Sequence, residues 1–169
     1  MSRICFPKEI MSSPKRYYLR ISWDKTKPIL TALLLNPSKA NHIKSDATSN
    51  FMVDFAKANG FGTLILVNVI SFIEPKSTKL RLYSSAFDEI NKKYVRRALK
   101  LGSEIIVGWG EKGEFAALQL SDLIEEFQYK MVCFRYNQNR SPTQATYMLR
   151  IMRKEKKEPQ DLKVIKFEK

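Results

Sequence analysis

Four runs of this chain, at 29–35, 63–69, 104–110 and 129–134, are apolar almost throughout. Runs of that length and character belong to strands buried on both faces of a sheet. Amphipathic stretches lie between them. The spacing predicts a helix over 47–58, with Asp46 as N-cap, Phe51, Met52 and Phe55 on one stripe, and Asn59-Gly60 as the stop. A second helix is expected to start where Ser85 and Asp88 resemble a capping box and to run to Leu101, just before Gly102. Its apolar face would carry Phe87, Ile90, Tyr94, Ala98 and Leu101. A third is expected over 114–127, with Phe115, Leu118, Leu123 and Ile124 apolar. Residues 16–23, RYYLRISW, alternate well enough for a strand, and Asp24-Lys25-Thr26-Lys27 looks like a hairpin turn into the run at 29–35. Residues 1–14 show no period and read as an irregular lead-in. Residues 71–83 form a loop carrying Pro75. Residues 153–160 read as a charged loop, and 164–167 as a candidate edge strand.

Strands alternating with helices of this length imply βαβ units and a mainly parallel sheet covered on both faces. We therefore expect one α/β domain over 1–169, a three-layer α/β/α arrangement with about four parallel strands plus an antiparallel N-terminal edge strand. Parallel strands end on one rim, the place where open α/β sheets bind ligands. Pro37 cannot donate to a ladder, so the first buried strand should stop at Asn36 and set Asn36 and Ser38 on that rim. Asn68 with Ser71, Trp109 between Gly108 and Gly110, and Arg135 with Tyr136 and Asn137 would join them there.

Charge sharpens the picture. The net charge is +13, from 30 basic and 17 acidic residues, which suggests a polyanionic partner. It is unevenly spread: segments 76–100 and 135–157 are strongly basic, whereas 111–128 is acidic. Lys93, Arg97 and Lys100 share a helix face, with Lys92 and Arg96 beside them, a stripe that could track phosphates. Arg140, Arg150 and Arg153 could continue it; the bland alternative is a solvated face. Nucleic acid, DNA before RNA, is the expected partner, and the expected state is a monomer. No run could span a bilayer, and the first residues lack the apolar centre of a signal peptide. Cys5 and Cys133 lie far apart without metal spacing, which suggests a reducing, cytoplasmic setting and no structural metal. No Walker loop or GxGxxG occurs, which argues against a triphosphate or dinucleotide held by glycine-rich loops; no cofactor is expected.

Two residues stand out as catalytic candidates. Asn36 could orient a water without accepting its proton, or it could merely close an Asx turn. Asp46 could act as a base, or it could merely cap a helix. Trp109 could stack on a nucleobase or could sit in the core. His42, the only histidine, reads as a solvent-exposed loop residue.

RYYLRISW, LLLNPSKA with SDAT, LVNVISF, Asn91, VGWG and SPTQATY occur in the order of a known pattern. The chain resembles domain-of-unknown-function family 1643, whose pattern runs R-Y-x-L-x-R-x-W, L-N-P-S-x-A, D-P-T, V-N-L-F, P-x-N-D, W-G and G-x-P-x-H-P-L-Y. Ala47, Lys92, Gln144 and Ala145 stand where that pattern has Pro, Asp, His and Pro. The resemblance implies site roles for Pro37, Ser38, Thr48, Asn68, Asn91, Trp109, Gly110 and Gln144. A weaker resemblance links Asn36-Pro37-Ser38 to the first motif of the uracil-DNA glycosylase superfamily, and Ser141-Pro142-Thr143 lies where the last would be, without its His. It implies a glycosylase-like sheet and hydrolysis of an N-glycosidic bond, with Asn36 placing the water and Asp46 assisting. Two alternatives remain: a non-catalytic nucleic-acid binder on the same fold, favoured by Gln144, and an enzyme acting on a free nucleotide or nucleotide sugar.

Overall fold

The computed structural model describes residues 1–8, 14–74, 79 and 88–168. A seven-stranded mixed sheet runs through it. In chain order the strands are β1 (Ser2–Phe6), β2 (Tyr18–Ser22), β3 (Ile29–Leu34), β4 (Thr63–Asn68), β5 (Glu104–Gly108), β6 (Met131–Cys133) and β7 (Ile165–Lys166). The helices are α1 (Ala47–Ala58), α2 (Glu89–Leu101), α3 (Glu114–Leu118), α4 (Ser121–Phe127) and α5 (Ala145–Lys154).

In space the sheet reads β1-β2-β4-β3-β5-β6-β7. The four apolar runs supply β3, β4, β5 and β6, which are mutually parallel. The antiparallel margins are wider than expected. Residues 2–6 are not a lead-in but a strand paired to β2, with Ser2 opposite Ser22. The strand at 18–22 is therefore internal, and β1 forms the edge. β7 closes the other margin antiparallel to β6.

The expected β2–β3 hairpin is also corrected. β2 pairs with β4, not β3. The turn at 24–28 reverses the chain but arches over the start of β4. Trp23 N and Asp24 N both donate to Gly62 O at 3.0 Å, and Gly62 N donates to Pro28 O at 2.9 Å. A Cβ on residue 62 would lie 1.9 Å from Asp24 O, so only glycine fits under the arch. The longer-range β4 thus displaces the local partner.

Side-chain alternation sends each strand into two cores. One contains Leu33, Ile65, Val67, Ile105 and Val107, packed under Val95, Ala98 and Leu99 of α2 and Leu123 and Ile124 of α4. The other contains Leu30, Leu34, Leu64, Leu66 and Ile106, packed under Phe51, Met52 and Phe55 of α1 and Met148 and Leu149 of α5. Three layers result. Thr31, buried in β3, is satisfied by donating to Ala98 O at 2.9 Å. The helix at 89–101 is rotated from its expected face: Ile90 and Leu101 are exposed, whereas Asn91, Val95, Ala98 and Leu99 are buried. Asp88 is itself the N-cap, accepting from Asn91 N; Ser85 and Phe87 lie outside the described residues. The expected helix over 114–127 is broken at 119–120, and Phe115 and Leu118 face solvent.

Candidate functional site

The rim at the carboxyl ends of the parallel strands holds a cavity of about 430 Å³. β3 is the first parallel strand in the chain. β4 lies on one side of it and β5 on the other. α1 follows β3 on one face and α3 follows β5 on the opposite face, so the cavity opens at the switch point of the sheet. Leu34, Leu66, Asn68 and Gly108 line it from the sheet. They share the parity of the core under α1 and α5. The N-termini of both helices border it through Ala47 and Thr48 of α1 and Ala145 and Thr146 of α5.

Asn36 extends from the end of β3. Its Nδ2 donates to Glu74 O at 3.1 Å and Pro37 O at 3.3 Å, with Phe72 O at 3.5 Å. Its Oδ1 accepts from no described residue. Asn36 also lines a second compartment of about 500 Å³, together with Gly110, Lys112, Gln144, Thr146, Tyr147 and Arg150. It stands at the junction of an inner and an outer space.

Asp46 is the N-cap of α1. Oδ1 accepts from Ser49 N at 2.9 Å and Oδ2 from Ala40 N at 3.1 Å, and the Ser49 hydroxyl accepts from Asp46 N. Burial opposes the charge on this carboxyl, but hydrogen bonds from Ser38, Ser49 and Ala40 outweigh it and hold the group below the ordinary carboxylate range. Both oxygens are engaged, so the residue serves as an anchor.

Arg16 was visible in the sequence only as the first residue of a strand. The structure buries it to 2% exposure on the cavity wall. Nη1 donates to Ala40 O at 2.7 Å and Ser38 O at 3.3 Å, holding the loop that leads into α1. Nε has no partner among the described residues, nor does Oδ1 of Asn68, another buried cavity residue. Burial lowers the guanidinium to about 10, with Cys5 and Asp46 acting the other way, so it stays cationic at neutral pH. Asn91 stands behind this wall: its Nδ2 donates to Asn68 O at 2.9 Å.

Of the expected site residues, Asn36, Pro37, Ser38, Asp46, Thr48, Asn68 and Gln144 meet in the inner cavity, and Gly110 and Arg150 in the outer one. Trp109 does not join them. It is 1% exposed, packs edge-on against Phe167 at 5.5 Å, and donates from Nε1 to Glu114 at 2.6 Å. Alternation along β5 explains this, since Ile105, Val107 and Trp109 point into the opposite layer. The basic helix is ion-paired at two of its five basic residues. Lys92 pairs with Asp122 at 2.8 Å, and Arg96 pairs with Glu126 at 2.6 Å and Asp122 at 3.5 Å. The acidic segment therefore neutralises part of the stripe. Lys93, Arg97 and Lys100 remain exposed, on the layer away from the cavity, and Arg97 lies 5.9 Å from the Tyr18 ring. Arg140, at φ 65° in an exposed turn, borders neither compartment. His42 is half-buried rather than solvent-exposed, with Nδ1 unpartnered among the described residues.

Among the described residues no group of three or more His, Cys, Asp or Glu side chains could hold a metal, and no helix is long and apolar enough to cross a membrane. The fold and cavity define an α/β protein with a cavity at the switch point of its sheet. Residues 16–143 match the model of DUF1643, described as a protein of unknown function, and the chain belongs to that family. Comparison with curated proteins and with solved structures returned no match.

Proposed function

We propose that this protein hydrolyses the N-glycosidic bond of a nucleotide unit, as a glycosylase-like enzyme. The observation carrying the proposal is the tethering of Asn36. Its amide nitrogen is held on backbone carbonyls of 37 and 74, which fixes the direction of an Oδ1 that has no donor among the described residues. Such an oxygen can accept a hydrogen bond from a water and aim its lone pair at the anomeric carbon of a sugar placed at the junction of the two compartments. The water's oxygen bonds to that carbon and the carbon–nitrogen bond breaks. The bonding pair leaves with the base, and the water's surplus proton ends on the departing base. An amide cannot take that proton itself, so Asn36 orients and does not act as a base. Asp46 is a positioning residue, keeping the 38–46 loop and α1 in place. The likeness of Asn36-Pro37-Ser38 to the first uracil-DNA glycosylase motif supports the same reading.

Base release from uracil-containing and otherwise base-modified DNA and from free nucleotides, followed chromatographically, tests it. Asn36→Ala should lower turnover on the order of 100-fold with ground-state binding little changed. Equal turnover in that variant would refute the role. A non-catalytic binding site is the second reading. It is favoured by the hydrogen bonds on both Asp46 oxygens, which lower its pKa and make that carboxylate a weak proton acceptor, and by Gln144 standing where the family pattern has His. Tight binding with no base released from any substrate would establish it.

A further inference from the structure

We propose that the inner compartment is a phosphate site formed by Arg16 and the N-terminus of α5, and that the substrate is a nucleoside 5′-monophosphate free in solution. The sugar and base placement rests on the glycosidic reading above; the phosphate site does not.

Two independent observations converge. The first is the open start of α5, a helix of 10 residues. Gln144, its N-cap, makes no side-chain cap bond. The first intrahelical bonds come from Tyr147 N and Met148 N to Gln144 O, at 3.0 and 3.2 Å. Ala145 N and Thr146 N have no acceptor among the described residues, and both residues line the inner compartment. Helix N-termini in this condition attract anions, through free N–H groups and through the dipole. The other helix start on the same cavity, at α1, is already occupied by the carboxylate of Asp46. An incoming anion therefore belongs at α5.

The second observation is Arg16. A guanidinium at 2% exposure normally has an ion partner, because a lone buried charge is costly. Arg16 has no carboxylate within ion-pair distance among the described residues. Its neighbour Asp46 is turned to Ala40 N and Ser49 N. With Nη1 committed to two carbonyls, Nε remains buried and unpartnered among the described residues, in a side chain that lines the cavity. A group with several acceptor oxygens and a negative charge satisfies both the arginine and the helix start, and phosphate is that group.

The burial of Arg16, 2% exposed, selects the form of the phosphate. A terminal monoester is the end of a molecule and can be enclosed. A phosphodiester inside a strand carries chain on both sides and would bring its neighbours with it. The exposed part of the basic helix faces the layer away from the cavity, so it offers no track for a strand entering here. From the inner phosphate the sugar would reach Asn36, common to both compartments, and the base would extend into the outer one, where Tyr147 is 49% exposed.

Calorimetric titration of the full chain with the common nucleoside 5′-monophosphates, the matching nucleosides and inorganic phosphate tests the site. At least one monophosphate should bind roughly tenfold or more tighter than its nucleoside, and inorganic phosphate should compete with it. Gln144→Glu should raise the melting temperature, by placing a carboxylate on the open helix start, while weakening monophosphate binding about tenfold or more. Arg16→Gln should weaken it likewise; if that variant does not fold, Gln144→Glu decides. Equal binding of nucleoside and monophosphate, undiminished binding by Gln144→Glu, or binding of a 5′-phosphorylated oligonucleotide with none of the mononucleotides would each overturn the proposal. Phosphate-dependent monophosphate binding without base release upholds the phosphate site and refutes the glycosidic chemistry. Base release from an oligonucleotide without monophosphate binding does the reverse.

Discussion

Replacing Asp46 by alanine should remove the acceptor of two backbone N–H groups at once. Ser49 N loses its N-cap acceptor at 2.9 Å, and Ala40 N loses its acceptor at 3.1 Å in a residue with 0% exposure. The cap is worth about 0.5–2 kcal/mol, and a buried N–H left without an acceptor costs about 1–3 kcal/mol. Together these give a loss of about 1.5–5 kcal/mol, or about 3–20 °C in melting temperature for a chain of this size. Asp46→Asn should cost less. Asparagine still caps through its oxygen, but its NH₂ then faces Ala40 N–H, donor against donor, so only the second loss of about 1–3 kcal/mol applies. The pH dependence follows in sign. The folded-state pKa of Asp46 is depressed, so its stabilisation is complete above the unfolded value near ~3.9. It is lost as pH falls through the lower folded value. The stability gap between wild type and Asp46→Asn should therefore be constant from about pH 7 to 5 and narrow below about pH 4. Asp24, Asp88 and Asp122 are also depressed but are common to both proteins and cancel in the difference. Thermal unfolding by circular dichroism at pH 7, 5 and 3 measures it. An alanine variant melting within about 1 °C of wild type, or a gap unchanged at the lowest pH, would refute the reasoning.

Two further outcomes separate the layers of the molecule. Trp109→Phe should destabilise the protein by about 1–3 kcal/mol, through the lost Glu114 bond and core volume, yet leave nucleotide affinity unchanged; a sharp loss of affinity would place the indole in the cavity. Replacing Lys93, Arg97 and Lys100 together by alanine should flatten the salt dependence of non-specific DNA binding by up to about 3 units, measured by fluorescence anisotropy, without altering base release. An unchanged slope would reduce the stripe to a solvated helix face.

The parallel heart of the fold was legible because β3, β4 and β5 are buried on both faces and need continuous apolar runs. α1 was legible from its own ends, Asp46 and Asn59-Gly60. β1 escaped notice because SRICF is a short edge strand buried mainly through Cys5. The partner of β2 was missed because Gly62, some 40 residues downstream, decides it through a contact that no local pattern encodes. The meeting of Asn36, Ser38, Asp46, Asn68 and Gln144 follows from topology, since parallel strands share a rim. Trp109 was misplaced for want of parity: the same alternation that sends Ile106 toward α1 sends residues 105, 107 and 109 away from it. Arg16 was illegible because its burial is made by a loop more than 20 residues later folding over it.

The seam between β2 and β3, filled by β4, has a bearing on how the chain is made. β3 is synthesised before either strand that flanks it, β4 or β5. Until the ribosome has delivered residue 68, its apolar length has two open edges, and the β1–β2 pair has no β4 to dock against. Such an unpaired central strand is a template for other chains. Nascent chains stalled between about residues 40 and 60 are thus the species most prone to aggregate, and those most in need of a holding chaperone.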